Sequence, residues 1–337
     1  MTSDKRQRLL VLRLSALGDV AMTIPIVYSV ARRYPECRIT MVTRPFFANL
    51  LVNAPDNVHV LPVDTKAYKG VKGLHRFMRL LAAQRPTAIA DLHNVSRTWV
   101  VDSYFRLHGI RVAMVDKMRR SRRELISHGT QQPSFFNRYC RVFERLGFPV
   151  TPDFTSIFGN TLPSPPITLR KPAAGIAPFA RYTNKTYPPE LMHEVVRQLA
   201  EAGVTPYLMG ARGKEAETLQ RWAQEIPGAV CVAGTLKLND ELALIANLDV
   251  MVSMDSANQH LASLTGIPVV TIWGSTTPAC GFQAYHQSDD RQLCLGLQCQ
   301  PCTVAGSDRC RLGTLACMRG ITPSMVTEKV LHTIKNR

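Results

Sequence analysis

Three short stretches hold residues whose types and spacing could do chemistry. In Ser15-Ala16-Leu17-Gly18-Asp19-Val20 an apolar run ends, a helical pattern begins, and a carboxylate, Asp19, directly follows a glycine. Gly18 would let a ligand approach the backbone. Asp19 would sit in a first helical turn, where the helix dipole favours negative charge, a place that equally suits a purely structural capping carboxylate. The second stretch sets Arg181, Thr183, Lys185 and Thr186 within six residues after a short apolar run. Cations and hydroxyls gathered in this way suit a diphosphate. The third is Asp255-Ser256-Ala257-Asn258-Gln259-His260, following Val250-Met251-Val252-Ser253-Met254. Asp255 and Ser256 would end a strand and cap a helix whose first N–H groups could receive a phosphate, with His260 one turn further in.

These stretches need elements to hold them, and the 337 residues supply a repeating pattern. Leu9–Leu14, Ile39–Thr43, Val58–Val63 and Ala88–Leu92 read as buried strands, with Ala21–Arg33 and Gly73–Gln84 as amphipathic helices between them. Six prolines between Phe148 and Pro172 read as an interdomain linker. Alternation then restarts at Ala174–Ala177 and ends in a helix over Thr322–Lys335. Strands separated by helices of this length predict parallel βαβ units. The expected class is α/β, with two Rossmann-like, doubly wound domains facing a central cleft. The expected division is an N-terminal domain over 1–165, a C-terminal domain over 166–322, and a final helix over 323–337 packing back on the N-terminal domain. In open α/β sheets ligands bind outside the carboxyl ends of the strands, which is where all three stretches fall.

Several classes lack their signatures. No G-x-G-x-x-G follows the first strand, no P-loop occurs, no G-x-S-x-G elbow is present, and no Asp-x-Asp offers itself to a metal and diphosphate. No apolar run is long enough to span a membrane, and the first one, Leu9–Leu14, is broken by Arg13 and has no cleavage site after it. A cytosolic protein is expected. The net charge of +16 is uneven: residues 1–165 carry +14 and residues 166–337 only +2. The N-terminal half therefore expects an anionic partner, and its densest cluster is Lys117, Arg119, Arg120, Arg122 and Arg123. Nucleic acid is disfavoured as that partner, since no helix-turn-helix, finger or RRM signature occurs and aromatic residues are few. Of nine cysteines, Cys37, Cys140 and Cys231 read as core thiols. Cys299, Cys302, Cys310 and Cys317 form C-x₂-C-x₇-C-x₆-C, open to a structural zinc or iron site or to a reduced thiol-rich loop.

Taken together, Leu14-Ser15-Ala16-Leu17-Gly18-Asp19-Val20, the Lys185-x-Tyr187-Pro188 loop and a long C-terminal block resemble glycosyltransferase family 9, the ADP-heptose:lipopolysaccharide heptosyltransferases. That block runs Asp255-Ser256-x-x-x-His260-Leu261-Ala262, then Gly266-x-Pro268-Val269-Val270 and Trp273-Gly274-Ser275-Thr276. The likeness extends from about Leu9 to the final helix. It implies a GT-B fold, an N-terminal lobe for a lipopolysaccharide inner-core acceptor and a C-terminal lobe for ADP-L-glycero-D-manno-heptose. It also implies metal-independent transfer with inversion, on the cytoplasmic face of the inner membrane. By the same resemblance Asp19 is the general base, with Asp91 in reserve, and Lys185 neutralises the leaving diphosphate beside Thr186. Asp255 and Ser256 hold donor sugar and phosphate, His260 follows in their motif, and Glu215 or Glu217 grips the ribose. Gly18, Arg181 and Thr183 join the donor set, and Arg97 joins the acceptor-binding cations. The chain departs from the family at Ala257-Asn258, where a glycine, often followed by proline, is usual. A methyl there narrows the room for phosphate or sugar and leaves open another nucleotide sugar, or a protein acceptor.

Overall fold

Leu9, Leu10, Val11 and Leu12 are each at most 1% exposed, as expected of a parallel strand covered on both faces. They belong to β1 (Arg8–Leu12), the centre of a five-stranded parallel sheet with β2 (Arg38–Thr43), β3 (Val58–Pro62), β4 (Ala88–Asp91) and β5 (Arg111–Met114). The order is β3-β2-β1-β4-β5. The computed structural model describes residues 7–337. It falls into two units, one holding the chain up to Arg119 and residues 135–157, the other residues 120–134 and 158–337.

Helices of the first unit follow from apolar spacing and from prolines. Where one helix was expected over Ala21–Arg33, two form, α1 (Leu17–Ala21) and α2 (Ile24–Arg33). The reason is Pro25, which lacks an N–H and sits in the first turn of α2 instead of continuing α1. The short α3 (Pro45–Ala48) precedes β3. α4 (Gly70–Ala82) buries Gly73, Phe77 and Leu81 and leaves Lys72, Arg76 and Arg79 exposed. α5 (Ser96–Leu107) inverts the usual pattern: Trp99 and Val100 are exposed while Asp102 is buried. The proline-rich stretch is only partly a linker, because Phe148, Phe154 and Ile157 are each 1% exposed and Tyr28 packs edge-on against Phe154.

Between those segments lies α6 (Arg122–His128), whose residues cluster with the second unit, and then α7 (Phe135–Arg145), which returns to the first. The second unit builds its sheet from β6 (Ala173–Ala177), β7 (Thr205–Leu208), β8 (Val230–Cys231), β9 (Val250–Met254), β10 (Val269–Ile272) and β11 (Gln292–Leu293). All pair in parallel, in the order β11-β10-β9-β6-β7-β8. Its helices are α8 (Pro189–Glu201), α9 (Lys214–Glu225), α10 (Leu238–Ala246), α11 (Ala257–Leu264), α12 (Ala316–Arg319) and α13 (Pro323–Lys335). The closing helix, α13, packs along α8 and inserts Val326 and Val330 into the core of the second unit.

Each sheet runs outward in both directions from its first strand, so each has a switch point, between β1 and β4 in the first and between β6 and β9 in the second. Adjacent loops diverge there and leave a crevice at the carboxyl ends of the strands. Asp19 lies in the first helix after β1, Lys185 in the loop after β6, and Asp255 directly after β9. Among the described residues no helix is long and apolar enough to cross a membrane.

Candidate active site

At the switch point of the second unit, Lys185 Nζ meets Asp255 Oδ2 at 2.7 Å. Asp255 is 4% exposed, and burial at that level demands partners for a carboxylate. It has them: the Thr276 hydroxyl donates to Oδ2 at 2.6 Å and Gln259 Nε2 donates to Oδ1 at 3.0 Å. Lys185 sits in a 3₁₀ turn, Thr183–Lys185, braced by Thr186, whose hydroxyl donates to the Tyr182 carbonyl at 3.2 Å. Thr183 donates to the Asp308 carbonyl at 3.0 Å, and exposed Arg181 lies over the Tyr182 ring. Ser256 occupies the N-cap of α11 as expected, but its hydroxyl makes no capping bond and lies 3.4 Å from Ser253 Oγ. The first N–H groups of α11 therefore lack a side-chain cap, next to an ammonium and a run of hydroxyls, which is favourable for an anion. His260 is buried one turn in. Glu215, after β7 on the same sheet edge, accepts from Ala211 N at 2.8 Å, while Glu217 is exposed.

Two features escaped the sequence reading. Asn184, 2% exposed, ties the Lys185 turn to its surroundings: its side chain donates to Ser307 Oγ and accepts from Ser275 Oγ and Ser307 N. Gly306, at φ 99°, is the second. A Cβ there would lie 2.6 Å from Lys185 Cδ, so only glycine lets this backbone wall the lysine. A buried amide between two loop cations, and a glycine in a polar loop, were the signals available.

The first unit presents a carboxylate. Asp19 has a side chain 29% exposed, and its Oδ2 receives Arg13 at 2.6 Å and the Ala16 N–H at 3.0 Å. The second contact is half of a capping box, so the structural role foreseen for Asp19 exists alongside any chemical one. Gly18 is helical, its carbonyl accepting Met22 N–H. The reserve base, Asp91, is wholly buried, and its Oδ1 accepts the N–H groups of His93 and Asn94. Its environment holds the turn after β4 and keeps it from solvent, which leaves Asp19 as the accessible carboxylate. His93 Nε2 lies 3.4 Å from the Ser15 hydroxyl, and burial, then Arg13 and Lys117, push its pKa down to about 3, so the ring is neutral.

Beneath the surface Asp91 adjoins Asp102, which is 0% exposed. Burial, then the Asp91 charge and hydrogen bond, push the Asp102 carboxyl up to about 8. Asp102 therefore keeps its proton at neutral pH. Because the folded pKa lies above the unfolded one, the native state holds a proton that the unfolded chain releases, and stability falls as pH rises from about 4 to about 8. Asp102→Asn removes that loss. Its stability, read as melting temperature, should rise progressively above wild type across this window, by at most about 1.4 kcal/mol of unfolding free energy per pH unit, and match it near pH 4. A difference independent of pH in parallel melts would contradict the proton on Asp102.

A profile of glycosyltransferase family 9 (heptosyltransferase) matches residues 108–311 of this chain, more than half its length. The chain belongs to glycosyltransferase family 9. This family-9 enzyme is 23% identical over 316 residues to lipopolysaccharide heptosyltransferase 1 of Pseudomonas aeruginosa, covering 88% of this chain and 86% of that one. Its fold matches the glycosyl transferase family 9 protein of Veillonella parvula with TM-score 0.72 at 16% identity, covering 98% of each chain. It matches the E. coli heptosyltransferase WaaC, solved with ADP-2-deoxy-2-fluoro heptose, with TM-score 0.69 at 20% identity, covering 97% and 99%. The two parallel α/β units are the Rossmann-like domains of the GT-B fold.

The basic residues of this glycosyltransferase stand in different local settings. Lys117 lies among Arg13, Asp19 and Asp91, with its pKa lowered by burial, then by Arg13 and Arg119. Arg97 adds to the field at His93, and its Nη1 donates to the Thr65 carbonyl. Exposed Arg119 stacks over Trp99 at 5.5 Å. Arg120, Arg122 and Arg123 are exposed and cluster with the second unit. The sequence left the four late cysteines open to a metal site or to a reduced thiol-rich loop. Among the described residues no three or more His, Cys, Asp or Glu are arranged to hold an ion. Cys299, Cys302, Cys310 and Cys317 are neighbours in the electrostatic sense, and three of them are engaged differently. Cys302 Sγ donates to the Ser275 carbonyl, Cys317 is buried on α12, and Cys310 is lowered by the backbone N–H groups of Leu315 and residues 312–314. The segment's visible work is to carry Gly306, Ser307 and Asp308 to the Lys185 turn.

Proposed function

We propose that this glycosyltransferase moves L-glycero-D-manno-heptose from ADP-heptose to an anionic lipopolysaccharide inner-core acceptor, with inversion at the anomeric carbon. Residues 1–165 take the acceptor and residues 166–322 the nucleotide sugar. The observation that carries the reading is the Lys185–Asp255 pair at 2.7 Å beside an uncapped helix N-terminus. As the C1–O bond to the diphosphate breaks, its electron pair leaves with ADP, and an ammonium with a helix end forms a preorganised trap for the growing charge. Asp19 takes the proton of the acceptor hydroxyl as that oxygen bonds to C1. Glu215 or Glu217 grips the ribose, while Arg181, Thr183, Thr186, Ser256 and His260 line the diphosphate and sugar. The relatives' names and the nucleotide-sugar analogue bound to WaaC support the donor class.

Charge placement supports the acceptor side. Arg122 and Arg123 occupy the first turn of α6, where the helix dipole disfavours cations, and neither has an ion-pair partner among the described residues. Carboxylates or phosphates of an inner-core sugar would relieve that cost. An anionic membrane surface would be met peripherally by the same excess of positive charge. A nucleotide panel tests the donor assignment. ADP and ADP-heptose at about 100 times their Kd should stabilise the protein by about 2.7 kcal/mol, read as a rise in melting temperature. Equal stabilisation by UDP or GDP would assign another donor, the alternative left open by Ala257-Asn258.

A further inference from the structure

Arg13 follows β1 directly and is only 4% exposed. A guanidinium so deep is costly unless its donors are met and its charge balanced. Nη1 donates to the Leu92 carbonyl just beyond β4 and Nη2 holds Asp19 Oδ2 at 2.6 Å, while Nε has no hydrogen-bond partner among the described residues. One side chain thus bridges the two strand exits of the switch point, anchored to backbone on one side and to the proposed base on the other. We propose that Arg13 is the positioning residue for Asp19, fixing its carboxylate in place and keeping it ionised while the acceptor hydroxyl is deprotonated. This inference rests on the reading of Asp19 as base.

The surrounding groups cannot replace it. On the side of β4 stand Asp91, which as an acid brings no positive charge, and His93, which is neutral. After β5 stands Lys117, whose charge is disfavoured by burial and by Arg13 itself. From α7 comes Tyr139, pushed up to about 12 by burial and therefore neutral. Arg13 is in direct contact with the carboxylate, 2.6 Å from its Oδ2. An opposite charge at this range lowers a carboxyl pKa by about 1–3 units. The two-handed geometry adds aim, which a single ammonium would supply less well.

The experiment compares pH profiles of kcat/KM for wild type, Arg13→Gln, Arg13→Lys and Asp19→Asn, each checked for folding by thermal melt. Arg13→Gln should lower kcat about 10–100-fold and move the acidic limb upward by about one pH unit or more. Arg13→Lys should leave the limb near its wild-type position, with a smaller loss in kcat. Purely structural bracing would lower the melting temperature of Arg13→Gln without moving the limb, and that result overturns the inference. Should Arg13→Gln not fold, Arg13→Lys decides: reduced kcat at an unmoved limb supports the assignment, and wild-type kcat overturns it. Asp19→Asn separates the two readings. Its wild-type activity would remove the base itself, whereas an inactive Asp19→Asn beside an unaltered Arg13→Gln would remove only the role of Arg13.

Discussion

Asp19→Asn should lower kcat by about 10²–10⁴-fold, the contribution of a positioned carboxylate to proton transfer, with ADP affinity nearly unchanged. The substitution keeps the size of the side chain but removes the charge that Arg13 holds at 2.6 Å. An amide oxygen can still accept the Ala16 N–H, so the start of α1 should persist and the loss should fall on kcat more than on stability. Steady-state kinetics with saturating donor, together with an ADP titration, check both halves. Turnover at the wild-type rate would reassign Asp19 to helix capping alone.

Lys185→Ala should act differently, weakening ADP binding at least tenfold and lowering kcat by about 10²–10³-fold, the loss that follows removal of one preorganised donor to a developing anion. It should also lower stability, because Asp255 is buried and would lose its cation while keeping its charge. Breaking a buried pair from one side costs about 3–5 kcal/mol. The donors from Thr276 and Gln259 compensate in part, so folding should survive. Calorimetric titration of ADP into folded variant gives the binding loss directly. Wild-type ADP affinity would remove Lys185 from the diphosphate.

The candidate site was readable because its residues sit where simple rules place them. Asp19, Lys185 and Asp255 each follow an unmistakable apolar strand, and parallel pairing of β6 with β9 puts the second and third at one switch point. Less legible were elements whose polarity runs against burial. α5 exposes Trp99 and buries Asp102, so its apolar spacing fails to announce the helix. The edge strand β5 (Arg111–Met114) is only four residues long and opens with an exposed arginine. Arg13 read as a mere interruption of an apolar run, because its partners, Leu92 and Asp19, come together only when β1 and β4 pair. The cysteine spacing left a metal site and a thiol-rich loop both open, and that segment's backbone and hydroxyls brace the lysine turn. Spacing alone cannot separate these outcomes, since both need a tight loop at the same place.

The most direct measurement is transfer itself: ADP-heptose and a heptose-free inner-core acceptor incubated with the protein, ADP release followed continuously, and the new linkage examined by NMR. The account predicts acceptor-dependent ADP release, one heptosyl residue added per acceptor, and a linkage of opposite anomeric configuration to the donor. Retained configuration, or release no faster than with Asp19→Asn, would contradict it.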